Sequence, residues 1–383
     1  MRLSAVKLRR WWKLAHRWIG LTLGSILILV AFTGALMTVA RPLDEWVRAD
    51  LFRVAPQVSV VSGLPERRIE VGADGTGLLE RVRQQLASEF GPGASFRLRP
   101  AQQPDDSLRA TVSGPWDGMV YFDPRTAAEL GRRSEHWTLV NLLFELHSTL
   151  LMGETGKAIL AIASLAYLFL LISGLVLWWP VRWRHAWAVK LRVGPTRALF
   201  DVHRVGGSLF GLLIAVSVVS GAYMAWRPLS AAVSALSGEP AMVAPKLPVG
   251  PNAPIVATRA APLDLHVMNA RAVVPAGQVT FVQVSASPSQ PVRVRLKLPD
   301  DPHPIGLSSV WLHPVTAQVL AVQRWDQLDP GARAYSVMYP LHIGELGGPL
   351  HTYAAAILGF ALAGFGVSGI WLWWRRRVAS EAL

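Results

Sequence analysis

The chain has 383 residues, 51% of them hydrophobic and only 16% charged, with 16 tryptophans and a mean hydropathy of +0.32. That profile belongs to a membrane protein rather than a soluble domain, and the absence of cysteine excludes disulfides, thiolate metal sites and cysteine catalysis. A net charge of +13 would suit nucleic acid, but the cations cluster beside apolar runs, so lipid and not nucleic acid is the expected partner.

Residues 1–17 carry six basic groups and no acidic one, and LRRWWKLAHRW sets its indoles at headgroup level with its cations in water. Residues 18–40 follow as a first span of membrane length; no small-residue cleavage site ends it, so it reads as an uncleaved anchor. Residues 41–155 hold many of the acidic residues and form a first external domain. Within it, Leu78 to Phe90 has helical periodicity, Phe96 to Val112 alternates as strand, and Asp123-Pro124 marks a turn. A second span covers 156–180. The loop 181–200 carries five basic residues and no acidic one, which suits a short basic helix on the membrane surface, with His185 exposed. A third span, 201–226, leads to a second external domain, 227–348, with a Pro-rich connector between Pro240 and Pro262 and strand-like runs at 279–284 and 291–298. The fourth span, 349–374, ends in Arg375, Arg376 and Arg377, and residues 375–383 form a tail. Positive-inside bias therefore puts both termini in the cytoplasm, with four spans and two external domains.

Three matches at nearly constant offset expose a duplication. His16-Arg17…Gly20…Gly24…Gly34…Met37 recurs 187 positions later as His203-Arg204…Gly207…Gly211…Gly221…Met224. VYFDPRTAAEL at 120–130 returns as VWLHPVTAQVL at 310–320, with His313 in place of Asp123. At an offset of 195, His147, Ser173-Gly174 and Trp178-Trp179 align with His342, Ser368-Gly369 and Trp373-Trp374. The expected fold is therefore an α-helical membrane protein of four spans in two tandem repeats, each carrying a small α+β domain, the two copies having the same orientation.

Four of the ten histidines occupy matched positions: His16 with His203 at the inner face, and His147 with His342 at the outer face. An axis between the copies brings each pair to one height on opposite sides, the arrangement that grips an iron through two imidazole nitrogens. Such ligands also need an acceptor for the other ring nitrogen. Zinc or copper, proton relay and inert packing are the competing readings; two imidazoles without cysteine are few ligands for zinc. His351 is an extra outer candidate that breaks the repeat, since its counterpart is Gly156. Arg17 and Arg204, directly after the inner histidines, suit haem propionates or the positive-inside signature equally. Met37 and Met224 read as packing, and His266 and His303 as surface residues without a role. No glycine-rich phosphate fingerprint occurs, and the inner loop is too short for a flavin or nucleotide domain.

HRWIGLTLG…TGALM, HRVGGSLFG…SGAYM, FDPRTAAEL and the closing SGLVLWWP and SGIWLWWRRR resemble the PepSY-associated transmembrane helix proteins of Gram-negative bacteria, and most of all their di-haem ferric-siderophore reductases of the ferrioxamine type. The resemblance covers essentially the whole chain. It implies an inner-membrane protein with PepSY-like periplasmic domains and two bis-histidine b-type haems, held by His16 with His203 and by His147 with His342 or His351. It also implies reduction of Fe(III) in a periplasmic siderophore complex, with electrons from a quinol or a separate cytoplasmic reductase. The alternatives are a siderophore or iron transporter and a non-enzymatic PepSY-type sensory or regulatory membrane protein. Trp137 and Tyr335 are expected to line a substrate groove between the external domains, and outward carboxylates to attract a cationic ferric complex.

Overall fold

The computed structural model describes residues 2–55, 77–134, 138–180, 183–247, 260–287 and 289–381. It divides into two compact units. One holds Met1–Arg41, Leu142–Ser230 and Met338–Leu383, and the other Pro42–Asn141 and Ala231–Val337. Trp137 and residues 248–259 of the Pro-rich connector lie outside the described residues.

The first unit is helical. Its long members are α1 (Arg2–Val47, continuing past Arg41 into the other unit), α5 (Gly153–Trp178), α6 (Pro195–Ala225) and α10 (Gly348–Glu381). All four are long and apolar enough to cross a membrane. Their outward faces carry Leu165, Leu212 and Ile357, each more than half exposed, which suits lipid and would be costly against water. Where the helices meet, small residues allow close approach, and the Tyr167 hydroxyl donates to the Gly211 carbonyl at 2.8 Å. Two shorter helices, α4 (Leu139–Thr149) before α5 and α9 (Pro330–Ile343) before α10, begin with residues of the other unit and end in this one.

The loop before α6 departs from the expected surface helix. Among its described residues before α6 only single 3₁₀ turns occur, at Trp183–His185 and Leu191–Val193. Side chains take the carbonyls that a helix would use: the Trp178 indole and Arg204 both donate to Ala186, and Arg204 also to Ala188. Gly194 and Pro195 then start α6, proline at the first turn being compatible with helix. His185 is exposed, as its sequence context suggests.

The second unit is built on one antiparallel sheet in the order β4-β3-β2-β1-β5-β6-β7-β8. Its strands are β1 (Ser95–Arg99), β2 (Leu108–Ser113), β3 (Gly118–Phe122), β4 (Glu129–Ser134), β5 (Gln278–Val284), β6 (Val292–Lys297), β7 (Ser308–Leu312) and β8 (Val319–Gln323). Each half is a four-stranded meander. The expectation of two separate α+β domains is therefore corrected: β1 and β5 pair directly, Phe96 with Val284 and Leu98 with Val282, so the halves share one sheet. The physical reason is edge pairing, since either meander alone would leave a hydrogen-bonding edge open.

One sheet face is apolar. Leu98, Leu108, Val112, Val120, Val282, Val294, Leu296 and Val310 are fully buried there beneath α3 (Leu78–Phe90) and α8 (Leu263–Val273). Each such side chain stabilises by about 1.5–3 kcal/mol relative to exposure. The two helices cap each other. Asp264 of α8 accepts from the Leu79 and Glu80 amides of α3, while Glu80 accepts from the Leu263 amide of α8. A Cβ on Gly77 would meet the Asp264 carboxylate at 2.0 Å, so only glycine admits it.

The repeated hairpins match in detail. Ala127 and Ala317 both have positive φ, 62° and 55°, and the register shifts at Tyr121/Phe122 and at Trp311/Leu312. Asp123 and His313 play the same part: the Asp123 carboxylate accepts from the Arg125 amide, and His313 Nδ1 from the Val315 amide. His266 and His303 are not surface residues. Each is at most 2% exposed, and the His266 ring lies against the Pro262 and His313 carbonyls, joining α8 to the hairpin.

Candidate functional site

The structure brings the four repeated histidines together as two pairs, both inside the helical unit. His16 on α1 and His203 on α6 face one another edge-on, with ring centroids 6.4 Å apart and planes at 88°. His147 on α4 and His342 on α9 lie 5.8 Å apart at 37°, with their Nε2 atoms 3.5 Å from each other. His147 contacts the Val30 carbonyl on the helix that bears His16. Fourteen residues of helix separate those positions, so the two pairs stand about 21 Å apart along α1. His203 and Ser217 repeat the same interval on α6.

Every one of the four rings has its other nitrogen engaged, and the partners obey the repeat. His147 Nδ1 lies 2.8 Å from the Val30 carbonyl and His342 Nδ1 2.8 Å from the Ser217 carbonyl. His16 Nδ1 lies 2.7 Å from Ser173 Oγ, and His203 Nδ1 3.0 Å from Ser368 Oγ. A carbonyl can only accept, so His147 and His342 carry their protons on Nδ1. The serine hydroxyls donate to the Leu170 and Phe365 carbonyls, which leaves their lone pairs to accept from His16 and His203. In neutral rings all four Nε2 atoms are then bare. In the second pair, two such lone pairs point at each other across 3.5 Å, an arrangement that a shared cation between them relieves.

Glycine makes room for these rings. A Cβ on Gly34 would come within 2.5 Å of His147, and one on Gly221 within 2.6 Å of His342. Gly174 and Gly369 sit likewise beside His16 and His203, a Cβ on either falling 3.4 Å from the ring. The repeated glycines are thus contact positions for the repeated histidines, which their spacing alone did not assign. Gly24 and Gly207 face open space where a side chain would otherwise project.

These observations bear on whether a haem iron fits. At metal–imidazole distances of about 2 Å, the two nitrogens must stand about 4 Å apart, within about half an ångström of the second pair. The donor chemistry also fits: two bare imidazole nitrogens, each ring oriented through its far nitrogen, in an apolar bundle. Among the described residues no group of three or more His, Asp or Glu is placed to hold a metal ion, so zinc gains no support.

The other expected site residues stand elsewhere. His351 does not join His147; its Nδ1 accepts from the Gly347 amide at the start of α10. Arg17 is exposed and lies 5.3 Å over the Trp18 ring. Arg204 is occupied by the loop, donating to the Ala186 and Ala188 carbonyls and lying 3.5 Å from the fully buried Asp201. It therefore fastens the loop to α6. Tyr335 stacks on His303 in the sheet unit, ring centroids 6.0 Å apart at 18°.

No curated protein matches the chain. The family described as the PepSY-associated TM region matches it over residues 13–376, which takes in most of all four long helices, both histidine pairs and the whole sheet. With four membrane-length helices and a match across nearly its full length, the chain belongs to the PepSY-associated transmembrane family.

Proposed function

We propose that this protein is an inner-membrane di-haem reductase that passes electrons across the bilayer to Fe(III) in a periplasmic siderophore complex, releasing Fe(II). The observation that carries the reading is the second histidine pair, whose bare Nε2 atoms face each other at 3.5 Å while both Nδ1 atoms are spent on backbone carbonyls. His16 with His203 would hold one haem and His147 with His342 the other. A bis-imidazole haem supplies one-electron exchange with no position open to oxygen.

The chain's own contributions are orientation, insulation and access. Ser173, Ser368 and the Val30 and Ser217 carbonyls fix each ring, which raises ligand basicity and sets its plane. Within a bilayer the apolar helices would keep water from the pairs. In the proposed orientation both termini are cytoplasmic, the first pair lies toward the cytoplasm and the second toward the periplasm, and the sheet unit is periplasmic. A quinol or a separate cytoplasmic reductase would act as donor.

A second reading is a non-enzymatic PepSY-type membrane regulator. The family match favours it, because that match concerns the membrane region and names no cofactor; the histidine pairs would then be packing contacts sharing a proton. Transport is less supported, since among the described residues the one fully buried carboxylate of the helical unit, Asp201, is committed to Arg197, Arg204 and the Lys190 amide.

Proteoliposomes decide between these. With a reductant enclosed and a ferric siderophore outside, the reductase reading predicts Fe(II) appearing outside only in vesicles that contain the protein, and none with His147→Ala. Equal rates with and without the protein would leave the regulator reading standing.

A further inference from the structure

The face of the sheet opposite α3 and α8 is rich in arginine. Arg97 and Arg99 on β1, Arg109 on β2, Arg133 on β4, and Arg293 and Arg295 on β6 alternate with the buried apolar set. Register places Arg97 beside Gln283, and Gln283 beside Arg293, while Phe281 pairs with Arg295. Like charges on neighbouring strands repel, and the fold answers this at two positions. Asp44 neutralises Arg133 at 2.8 Å, and Glu45 lies 3.7 Å from Arg109.

The centre of the face is left uncompensated. Arg97, Arg293 and Arg295 make no ion pair among the described residues. Their guanidinium planes are packed on aromatic rings: Arg97 and Arg295 each lie 5.4 Å from the Phe281 centroid, and Arg293 lies 4.9 Å from that of Trp311. Arg293 spends Nε and Nη2 on Ser309 Oγ, and Arg295 spends Nε on the Gly306 carbonyl. Tyr335 and then Asp301 act on Arg295, and the Asp301 oxygens already accept from the His303 and Leu307 amides. Burial, then the neighbouring guanidiniums, push Arg293 down to about 10; burial does the same to Arg295. Pre-oriented, partly desolvated guanidiniums are the groups that recognise carboxylate-type oxygens bidentately.

We infer that this arginine face binds a small polyanion, and that the ferric complex served by the protein is an anionic chelate with carboxylate or catecholate donors. The inference rests on the ferric-siderophore reading for the metal, and it reverses the charge expected from the outward carboxylates. A chelate of net negative charge would place its peripheral oxygens on Arg97, Arg293 and Arg295, with Phe281 and Trp311 holding the guanidinium planes in position.

Redox-inert gallium separates binding from electron transfer. Full-length protein in detergent is titrated calorimetrically with a gallium(III) tris-catecholate and with a cationic gallium(III) trihydroxamate. The anionic chelate is expected to bind about tenfold or more tightly, with affinity falling as salt rises from ~0.15 M to ~0.5 M. Arg97→Gln, at an exposed position where folding is not at issue, and Arg293→Gln, checked by near-ultraviolet circular dichroism, should each weaken binding severalfold. Arg125→Gln, whose guanidinium already pairs with Asp123, should not. Equal affinity for the two chelates, or indifference to Arg97→Gln, overturns the inference. Binding of the face to anionic phospholipid vesicles but not to the chelate also overturns it, and identifies a lipid contact instead. Gallium binding without ferric reduction would defeat the reductase reading alone, whereas reduction without charge preference would defeat this inference alone.

Discussion

The two histidine pairs follow the same repeat but anchor their rings differently. At His16 and His203 the far nitrogen meets a side-chain hydroxyl, Ser173 or Ser368, whereas at His147 and His342 it meets a main-chain carbonyl, Val30 or Ser217. A hydroxyl can be mutated away; a carbonyl cannot. The second pair is instead vulnerable through Gly34 and Gly221, whose missing side chains let the rings reach those carbonyls. The first pair thus depends most on its serines and the second on its glycines, and substitutions can address them separately.

The largest effect is expected from Gly34→Leu. A branched side chain would occupy the space of the His147 ring, so the absorbance of the second site should vanish while that of the first remains, read as haem per chain. Loss of both together would mean that the pairs are not independent. Next is Ser173→Ala with Ser368→Ala, which should weaken ligation at the first pair by about 10–100-fold without touching the second, measured by haem retention during dilution. An unchanged first site would show that the hydroxyls do not orient its rings.

Two smaller predictions address the sheet unit, which neither glycine nor serine substitution should disturb. Asp264→Ala removes the acceptor for two α3 amides and should cost about 1–2 kcal/mol in denaturant unfolding of this unit. The smallest effect concerns pH. Burial, with Arg295 and Lys297 adding to it, pushes His303 down from 6.5 to about 3. Between those values the unfolded chain binds the proton and the folded one does not, so stability is complete above about pH 6.5 and declines as pH falls toward 3. The melting temperature of His303→Gln should fall less over that window than that of the wild type.

Much of this was legible in the sequence because duplication writes structure twice. The four apolar spans, the hairpins around Asp123 and His313, the helix from Leu78 to Phe90 and the pairing of histidines by offset are all local or periodic signals. What was not legible depends on tertiary juxtaposition. Nothing in β1 or β5 announces that the two meanders will join, because strand periodicity fixes faces but not edge partners. Ser173 and Ser368 stood in the repeat without a role, since their Oγ atoms meet histidines 157 and 165 residues away. The burial of His266 and His303 was missed for the same reason: their partners come from a hairpin and from a helix start distant in sequence.

The central claim is that the facing imidazoles hold iron. It is tested most directly by the absorption spectrum of full-length protein, purified in detergent from haem-replete cells and recorded oxidised and then reduced. The account predicts sharp, low-spin b-type bands on reduction, diminished by His147→Ala and by His203→Ala and abolished when both are replaced. A colourless wild-type protein that is folded, with all four histidines present, would contradict it.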